Sequence, residues 1–292
     1  MKPVIKYQGG KSKELPLIKQ MLPRKFDRVV EPFCGGAAVS FGLQIPAILN
    51  DINPMVINLY KVLQSDDYVN VLNRINVIKT YEHDALQEAF YTARNVINNP
   101  QDFTPLIQAI SYITVRQLCF SGMERYSIKG EFNVPFGHYK KMSCNLTPDH
   151  HTFLSKCNIR RGSFVDLFDD ITADDFVFID PPYLERLGYT ESDGGDTLHE
   201  ELVRCLKSTD AKWMIIHSDH EFYRESYRDY NIMDKNFFYR QRFGKEKKDS
   251  GIVGETLNLY NLIGEEDDIK TTAPLEKDHS GAKVKHLYIT NY

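Results

Sequence analysis

The chain has 292 residues, 42% hydrophobic and 26% charged, with a formal net charge of −4. This describes a folded globular protein with a full core, as one large domain or a catalytic domain carrying an insertion, and any nucleic-acid binding must come from locally concentrated positive charge. No apolar run approaches the roughly 18 residues of a membrane helix, and the Met1-Lys2-Pro3-Val4 start lacks the apolar stretch of a signal peptide, so no membrane association is expected. The 5 cysteines (Cys34, Cys119, Cys144, Cys157, Cys205) are odd in number and scattered, which points to a reducing cytosol and away from disulfide or zinc frameworks.

Lys6-Tyr7-Gln8-Gly9-Gly10-Lys11 opens the chain ahead of a helical pattern, Leu15, Ile18, Met21 and Leu22, that stops at Pro23. The glycine pair lets backbone approach a ligand flanked by Tyr7 and Lys11, or is a turn with solvated lysines, and it lacks the spacing of a phosphate-binding P-loop. Residues 28–39, RVVEPFCGGAAV, read as strand, small-residue turn and helix, an arrangement that seats a cofactor against backbone at a parallel-sheet edge. Some twenty residues after Glu31, Ala47 to Asp51 reads as a second strand ending in an acid, suited to bonding the two hydroxyls of a ribose or to capping the next helix. Helical spacing follows in Val56, Leu59, Tyr60, Leu63, then in Leu86, Phe90, Ala93, Ile97. After a break at Asn98-Asn99-Pro100 it returns in Leu106, Ile110, Ile113, Leu118, started by Thr104-Pro105.

Residues 122–141, GMERYSIKGEFNVPFGHYKK, predict a β-hairpin. Arg116, Arg125, Lys129, Lys140 and Lys141 interleave with Tyr126, Phe132, Phe136 and Tyr139, the mixture that phosphate contacts and base stacking require, although a merely solvated hairpin has the same composition. The α/β rhythm resumes at 158–164, a short strand and turn, followed by the apolar strand Phe176–Ile179. Residues 184–197 read as a loop long enough to fold over a ligand. A helix (Leu198, Leu202, Leu206) and the strand Trp213–Ile216 come next, with His217 and His220 read as turn residues after it. Residues 237–245 are aromatic and basic, 265–283 polar, and Lys285 to Thr290 a final strand.

The stretch that organises the rest is Asp180-Pro181-Pro182-Tyr183. Neither proline can donate to a sheet ladder, so the strand stops there and delivers its end to the carboxyl edge of the sheet, where open α/β sheets bind ligands. An acid, a rigid Pro181 carbonyl and an aromatic face suit a planar base bearing an amino group. The bland alternative is a Pro-Pro turn with an exposed acid, and the four-residue combination favours the site.

Taken together, KYQGGK, VVEPFCGGAAV, NDIN, DPPY, GEFNVPFGHYKK and ITNY resemble the Dam-type (D12 class) DNA adenine-N6 methyltransferases nearly end to end. The resemblance implies a class I S-adenosylmethionine-dependent methyltransferase fold, Rossmann-like with a mostly parallel seven-stranded sheet. Its catalytic domain would be discontinuous (1–55 and 158–292), and residues 56–157 would form a helical plus β-hairpin target-recognition domain. It implies S-adenosylmethionine contacts at Tyr7, Lys11, Glu31, Phe33, Gly35, Asp51, Phe164 and Asp180, and catalysis by Asp180, Pro181, Pro182 and Tyr183, with no metal. On duplex DNA, Arg125 would read a guanine, Ser121, Met123 and Pro135 would line the same base-reading surface, Asn133, Tyr139 and Lys140 would hold phosphates, and Arg116 would also belong to the DNA-binding set. This sequence departs from the family pattern at Tyr7 (commonly Trp), Ala37 (often Gly), Ser163 (often an acid) and Ser121 (often Asn).

The expected activity is methyl transfer to adenine N6 in duplex DNA by base flipping, within GATC or another GAT-containing site. A cognate restriction endonuclease is an implied partner, the chain is expected as a monomer or weak dimer, and its place is the cytoplasm. Alternatives are a methyltransferase for RNA adenine or a protein amide, and an inactive DNA-binding relative. A nicotinamide enzyme shares the strand, turn and acid, but the turn lacks G-x-G-x-x-G spacing.

Overall fold

Short apolar runs too hydrophobic to face water on either side pair with one another here, and helices cover them. The computed structural model of this chain describes residues 1–183, 195–239 and 282–292. In chain order the elements are α1 (Leu15–Gln20), β1 (Arg28–Glu31), α2 (Ala38–Leu43), β2 (Ala47–Asp51), α3 (Pro54–Gln64), α4 (Tyr68–Ile78), α5 (His83–Asn98) and α6 (Pro105–Leu118). They continue with α7 (Pro148–Leu154), β3 (Asn158–Arg161), β4 (Asp175–Ile179), α8 (Gly195–Ser208), β5 (Lys212–Ser218), α9 (Glu221–Ser226), β6 (Asn231–Tyr239) and β7 (Ala282–Thr290).

The seven strands form one sheet in the order β3-β2-β1-β4-β5-β7-β6. Strand β1 pairs in parallel with β2 (Val29 opposite Ala47) and with β4 (Val29 opposite Phe176), and β2 pairs in parallel with β3. The register of β1 against β4 is pinned where Arg28 faces Asp175. Arg28 Nε and Nη2 each donate at 2.8 Å to a separate oxygen of the buried Asp175 carboxylate. All five residues of β4 are buried, as a strand covered on both faces must be.

By contacts the chain divides into two compact units, Met1–Asp180 with Cys205–Met214 and Thr290–Tyr292, and Pro181–Arg204 with Ile215–Ile289. In the first unit, Asn53 caps α3 by accepting the Met55 N–H at 2.9 Å with Pro54 at the first helical position, and Thr104 with Pro105 does the same for α6. The helical stripes shift by a residue where packing chooses the face: α5 buries Val96 rather than Ile97, and α6 buries Ala109 and Tyr112 rather than Ile110. Helices α4 and α7 add to the prediction. In α7 Thr147 and His150 form a reciprocal cap, His150 Nδ1 accepting the Thr147 N–H while Nε2 lies 2.9 Å from the Lys2 carbonyl.

In the second unit, α9 and β6 are elements not foreseen. His220 does sit at a turn, where it caps α9 by accepting the Phe222 N–H at 3.2 Å. His217 corrects the expectation of a turn residue. It continues β5 and is 0% exposed, because the strand runs two residues past the apolar run and carries its imidazole into an aromatic layer. Strand β7 spans the predicted final strand and β6 reaches Tyr239. Of the expected loop at 184–197, residues 184–194 lie outside the described residues and 195–197 instead begin α8, and most of the segments at 237–245 and 265–283 also lie outside the described residues. No disulfide joins the described cysteines, and among the described residues no helix is long and apolar enough to cross a membrane.

Candidate active site

The first unit gathers most of the expected cofactor residues on the carboxyl ends of β1, β2 and β4. After β1 the chain turns at Gly35 (φ +43°) and Ala37 (φ +48°), both left-handed. Gly35 lies under the ring of Tyr7, and a Cβ there would fall 2.5 Å from Tyr7 Cε1. Only glycine combines that approach with that φ. Ala37, where Dam-type enzymes often have glycine, adopts the same region at a cost of about 1–2 kcal/mol. The turn is held from several sides: Tyr60 Oη donates to the Gly35 carbonyl at 2.7 Å, and the Cys34 N–H donates to the Asn50 carbonyl at 2.8 Å. Asn50 Nδ2 donates to both the Pro32 carbonyl (3.0 Å) and the Gly162 carbonyl (3.1 Å), joining the loops that follow β1 and β3.

Asp51 ends β2. Its Oδ2 accepts the Gly35 N–H at 2.9 Å and its Oδ1 the Asn53 N–H at 2.9 Å, and burial pushes its carboxyl up from the usual range. Phe33 and Phe164 approach at 5.1 Å between ring centres, tilted by 37°. Glu31 is buried against the start of α2, where it accepts the Ser40 N–H at 2.8 Å and stands in for a cap that Ala37 cannot provide. Burial, helped by the negative charge of Asp180, pushes its carboxyl up to about 7.

Asp180 follows β4 and is met by the buried Lys11, whose ammonium lies 2.5 Å from Oδ1 and also donates to the Gly9 carbonyl at 2.8 Å. The weak Gly-Gly signal at the start of the chain is thereby tied to the strong signal at residue 180. Two carboxylates, an aromatic pair and backbone amides on one sheet edge suit a cationic nucleoside such as S-adenosylmethionine: carboxylate oxygens for ribose hydroxyls, rings for an adenine, negative charge for a sulfonium. Among the described residues no group of side chains could hold a metal ion.

The expected DNA-contacting residues also lie in the first unit. The hairpin forms by single antiparallel bridges, Tyr126 opposite Phe132 and Cys119 opposite Phe136, closed at its tip by the Ser127 N–H to the Glu131 carbonyl at 2.8 Å. Arg125 is exposed, with Nε donating to Asn133 Oδ1 at 2.7 Å and Nη2 to the Asn133 carbonyl at 3.2 Å. Ser121 is exposed and left-handed (φ +56°), Pro135 and Lys140 are exposed, and Met123 is half-buried. The ring of Tyr139 carries the Lys6 ammonium 4.1 Å from its centre. Arg116 is 0% exposed. It donates to the carbonyls of Lys6, Gly122 and Met123, pairs with Glu124 at 3.4 Å, and lies 5.3 Å from the centre of the Tyr7 ring. It therefore ties the cofactor segment to the base of the hairpin.

In the second unit Pro181 is buried, Pro182 exposed and Tyr183 half-buried. The Tyr183 hydroxyl lies 3.2 Å from His286 Nε2, and its ring 4.8 Å from that of His217. Sequence reading missed both histidines. Only the unbroken apolar run leading into His217 hinted that it is interior.

Residues 7–241 match the family of D12 class N6 adenine-specific DNA methyltransferases. The chain belongs to this family. It is 30% identical over 272 residues to the type II methyltransferase M.CviBI of Paramecium bursaria Chlorella virus NC1A, covering 90% of this chain and 98% of that one. It is 29% identical over 274 residues to the retron Ec67 DNA adenine methylase of Escherichia coli, covering 90% of each. With the DNA adenine methylase of Escherichia coli strain K12 it shares 33% identity over 185 residues, 61% of this chain and 64% of that one. The expected family and α/β fold are thereby established. This methyltransferase is an adenine-specific DNA enzyme of a class that uses S-adenosylmethionine.

Proposed function

We propose that this methyltransferase modifies adenine N6 within GATC, or another GAT-containing site, after flipping the base out of duplex DNA. The reading is carried above all by the buried Lys11 meeting Asp180 directly after β4, with Asp51 at the end of β2 on the other side of β1. Asp51 would hold the ribose of S-adenosylmethionine, Phe33 and Phe164 would flank its adenine, and Tyr7 over Gly35 would shape the wall beside it. Glu31 supports that wall through α2 rather than by contact. The cofactor supplies a methyl group already activated on a positively charged sulfur.

The protein supplies position and field. Flipping costs a few kcal/mol, and stacking on Tyr183 returns about 1–3 kcal/mol. Adenine N6 is a poor nucleophile because its lone pair is delocalised into the ring. Acceptance of its two N–H bonds by Asp180 and the adjoining Pro181 carbonyl draws the nitrogen toward tetrahedral geometry and stabilises the positive charge that develops there. Pro182 keeps that carbonyl extended. Alignment of nitrogen, methyl and sulfur supplies up to about 7–11 kcal/mol.

Residues 56–157 would act as the target-recognition part, although their helices pack in the same compact unit as β1 to β4. Arg125, braced by Asn133, has the fork to bond guanine O6 and N7, worth about 1–3 kcal/mol of discrimination. Ser121, Met123 and Pro135 would border the base edges, while Tyr139 and Lys140 would approach phosphates. Arg116 would serve them from inside, by fixing the carbonyls of Gly122 and Met123. A restriction endonuclease of the same site is the implied partner.

The test is transfer of labelled methyl from S-adenosylmethionine into duplexes carrying GATC, a one-base variant, or no adenine. Label in the GATC duplex alone, abolished by Asp180→Ala and spread to the variant duplex by Arg125→Ala, is expected. Equal label in every adenine-containing duplex would sink the site assignment and keep the chemistry.

A further inference from the structure

We infer that His286 is a positioning residue for Tyr183, acting with His217 to fix the plane of the ring on which the target adenine stacks. The inference rests on the proposed stacking role of Tyr183. His286 comes from β7 and His217 from β5, far from Tyr183 in sequence, and all three lie in the second unit. Both histidines are interior, at 2% and 0% exposure.

Their geometry constrains the phenol in two ways. The hydrogen bond between His286 Nε2 and the Tyr183 hydroxyl, at 3.2 Å, anchors the far end of the side chain and stops it swinging about χ1. The His217 ring, 4.8 Å away and tilted by 52°, lies against its flank and stops it rolling about χ2. His217 is itself held. It stacks on Tyr223 at 4.1 Å and 23°, and meets His199 edge-on at 5.7 Å and 83°; His199 Nδ1 in turn lies 2.6 Å from the Tyr223 hydroxyl. A tyrosine has only two side-chain torsions, so one bond and one supported ring specify its plane. A base stacked on a ring that wanders would lose the alignment on which methyl transfer depends.

The plane-setting bond is separable from the stacking face, and this makes the inference testable. Tyr183→Phe keeps the ring and removes the hydroxyl, His286→Phe keeps the bulk and removes the nitrogen, and His286→Gln restores a polar partner. With the full-length enzyme and a duplex carrying adenine at the target position, each Phe variant should lower kcat by about three- to tenfold, the range one hydrogen bond carries. KM should stay within about twofold, and the fluorescence of a second duplex carrying 2-aminopurine at the target position, which lacks the N6 amine and reports flipping alone, should change. Tyr183→Phe combined with His286→Phe should be no worse than either alone, because both remove the same interaction. His286→Gln should recover most of the rate. Losses that multiply in the double variant, or wild-type kcat in His286→Phe, would overturn the inference. If His286→Phe does not fold, wild-type kcat in Tyr183→Phe overturns it equally. Tyr183→Ala at wild-type rate would instead remove Tyr183 from the stacking role, a failure of the underlying reading that the other variants cannot imitate.

Discussion

Glu31 and Asp180 are carboxylates in one unit with different partners. Asp180 has the Lys11 ammonium against it, whereas Glu31 is buried with a backbone N–H and the negative charge of Asp180 nearby. Raising its carboxyl from 4.5 to about 7 means that the unfolded chain gives up its proton first as pH rises. Stability therefore falls from about pH 4.5 to about pH 7 and is flat above, because the unfolded state binds fewer protons across that window. At about 1.4 kcal/mol per unit, the effect is on the order of 2–3 kcal/mol between pH 5 and pH 8. Glu31→Gln keeps an acceptor for the Ser40 N–H and removes the titration. Thermal unfolding of both proteins across that range should show Glu31→Gln gaining relative to wild type at the upper end, and a pH-independent difference would refute the assignment. His150, pushed down by burial, has the opposite sign and weakens the fold as pH falls.

At the scale of elements, the Arg28 fork on Asp175 decides which residue of β1 faces which residue of β4, and so where Asp180 emerges. Asp175 keeps the Thr172 N–H at 2.9 Å if the guanidinium is lost. Arg28→Ala leaves this buried carboxylate only partly satisfied, at an expected cost of about 1–3 kcal/mol. Urea unfolding should show a lower midpoint with an unchanged slope. A loss under about 0.5 kcal/mol would place the pair among ordinary surface bridges. The helices were legible because α3 and α6 carry both an apolar stripe and a capping pair. Helix α7 opens on the same kind of pair, Thr147-Pro148, but spans only 7 residues, too few to show an apolar stripe.

For the whole molecule, a net charge of −4 repels DNA at long range, so the proposed function requires locally concentrated positive charge, which the proposal places on the basic groups of the hairpin. Affinity for duplex DNA should fall steeply with salt, with log K linear in log salt. Lys140→Ala should reduce that slope by about 0.9, the share of one phosphate contact, and weaken all sequences alike. An unchanged slope would remove Lys140 from the phosphate contacts. Arg125→Ala should instead weaken discrimination at one base.

The sequence alone determined the α/β class, the family, the two acids at strand ends and the Asp180–Tyr183 tetrad, because these depend on the order of residues along single strands and turns. Apolar runs, prolines and glycines act on their immediate neighbours, so their effects are local and readable. Tertiary structure decided what depends on distance through space. It joined Lys11 to Asp180 across 169 positions, set Glu31 against α2, withdrew Arg116 from the surface, and brought His286 to the Tyr183 hydroxyl across 103. An arginine's sequence neighbourhood does not reveal that three carbonyls will enclose it, nor does a histidine after a strand announce that the sheet will carry it inside. Those outcomes are fixed only when the strands pair, because pairing chooses which side chains face which.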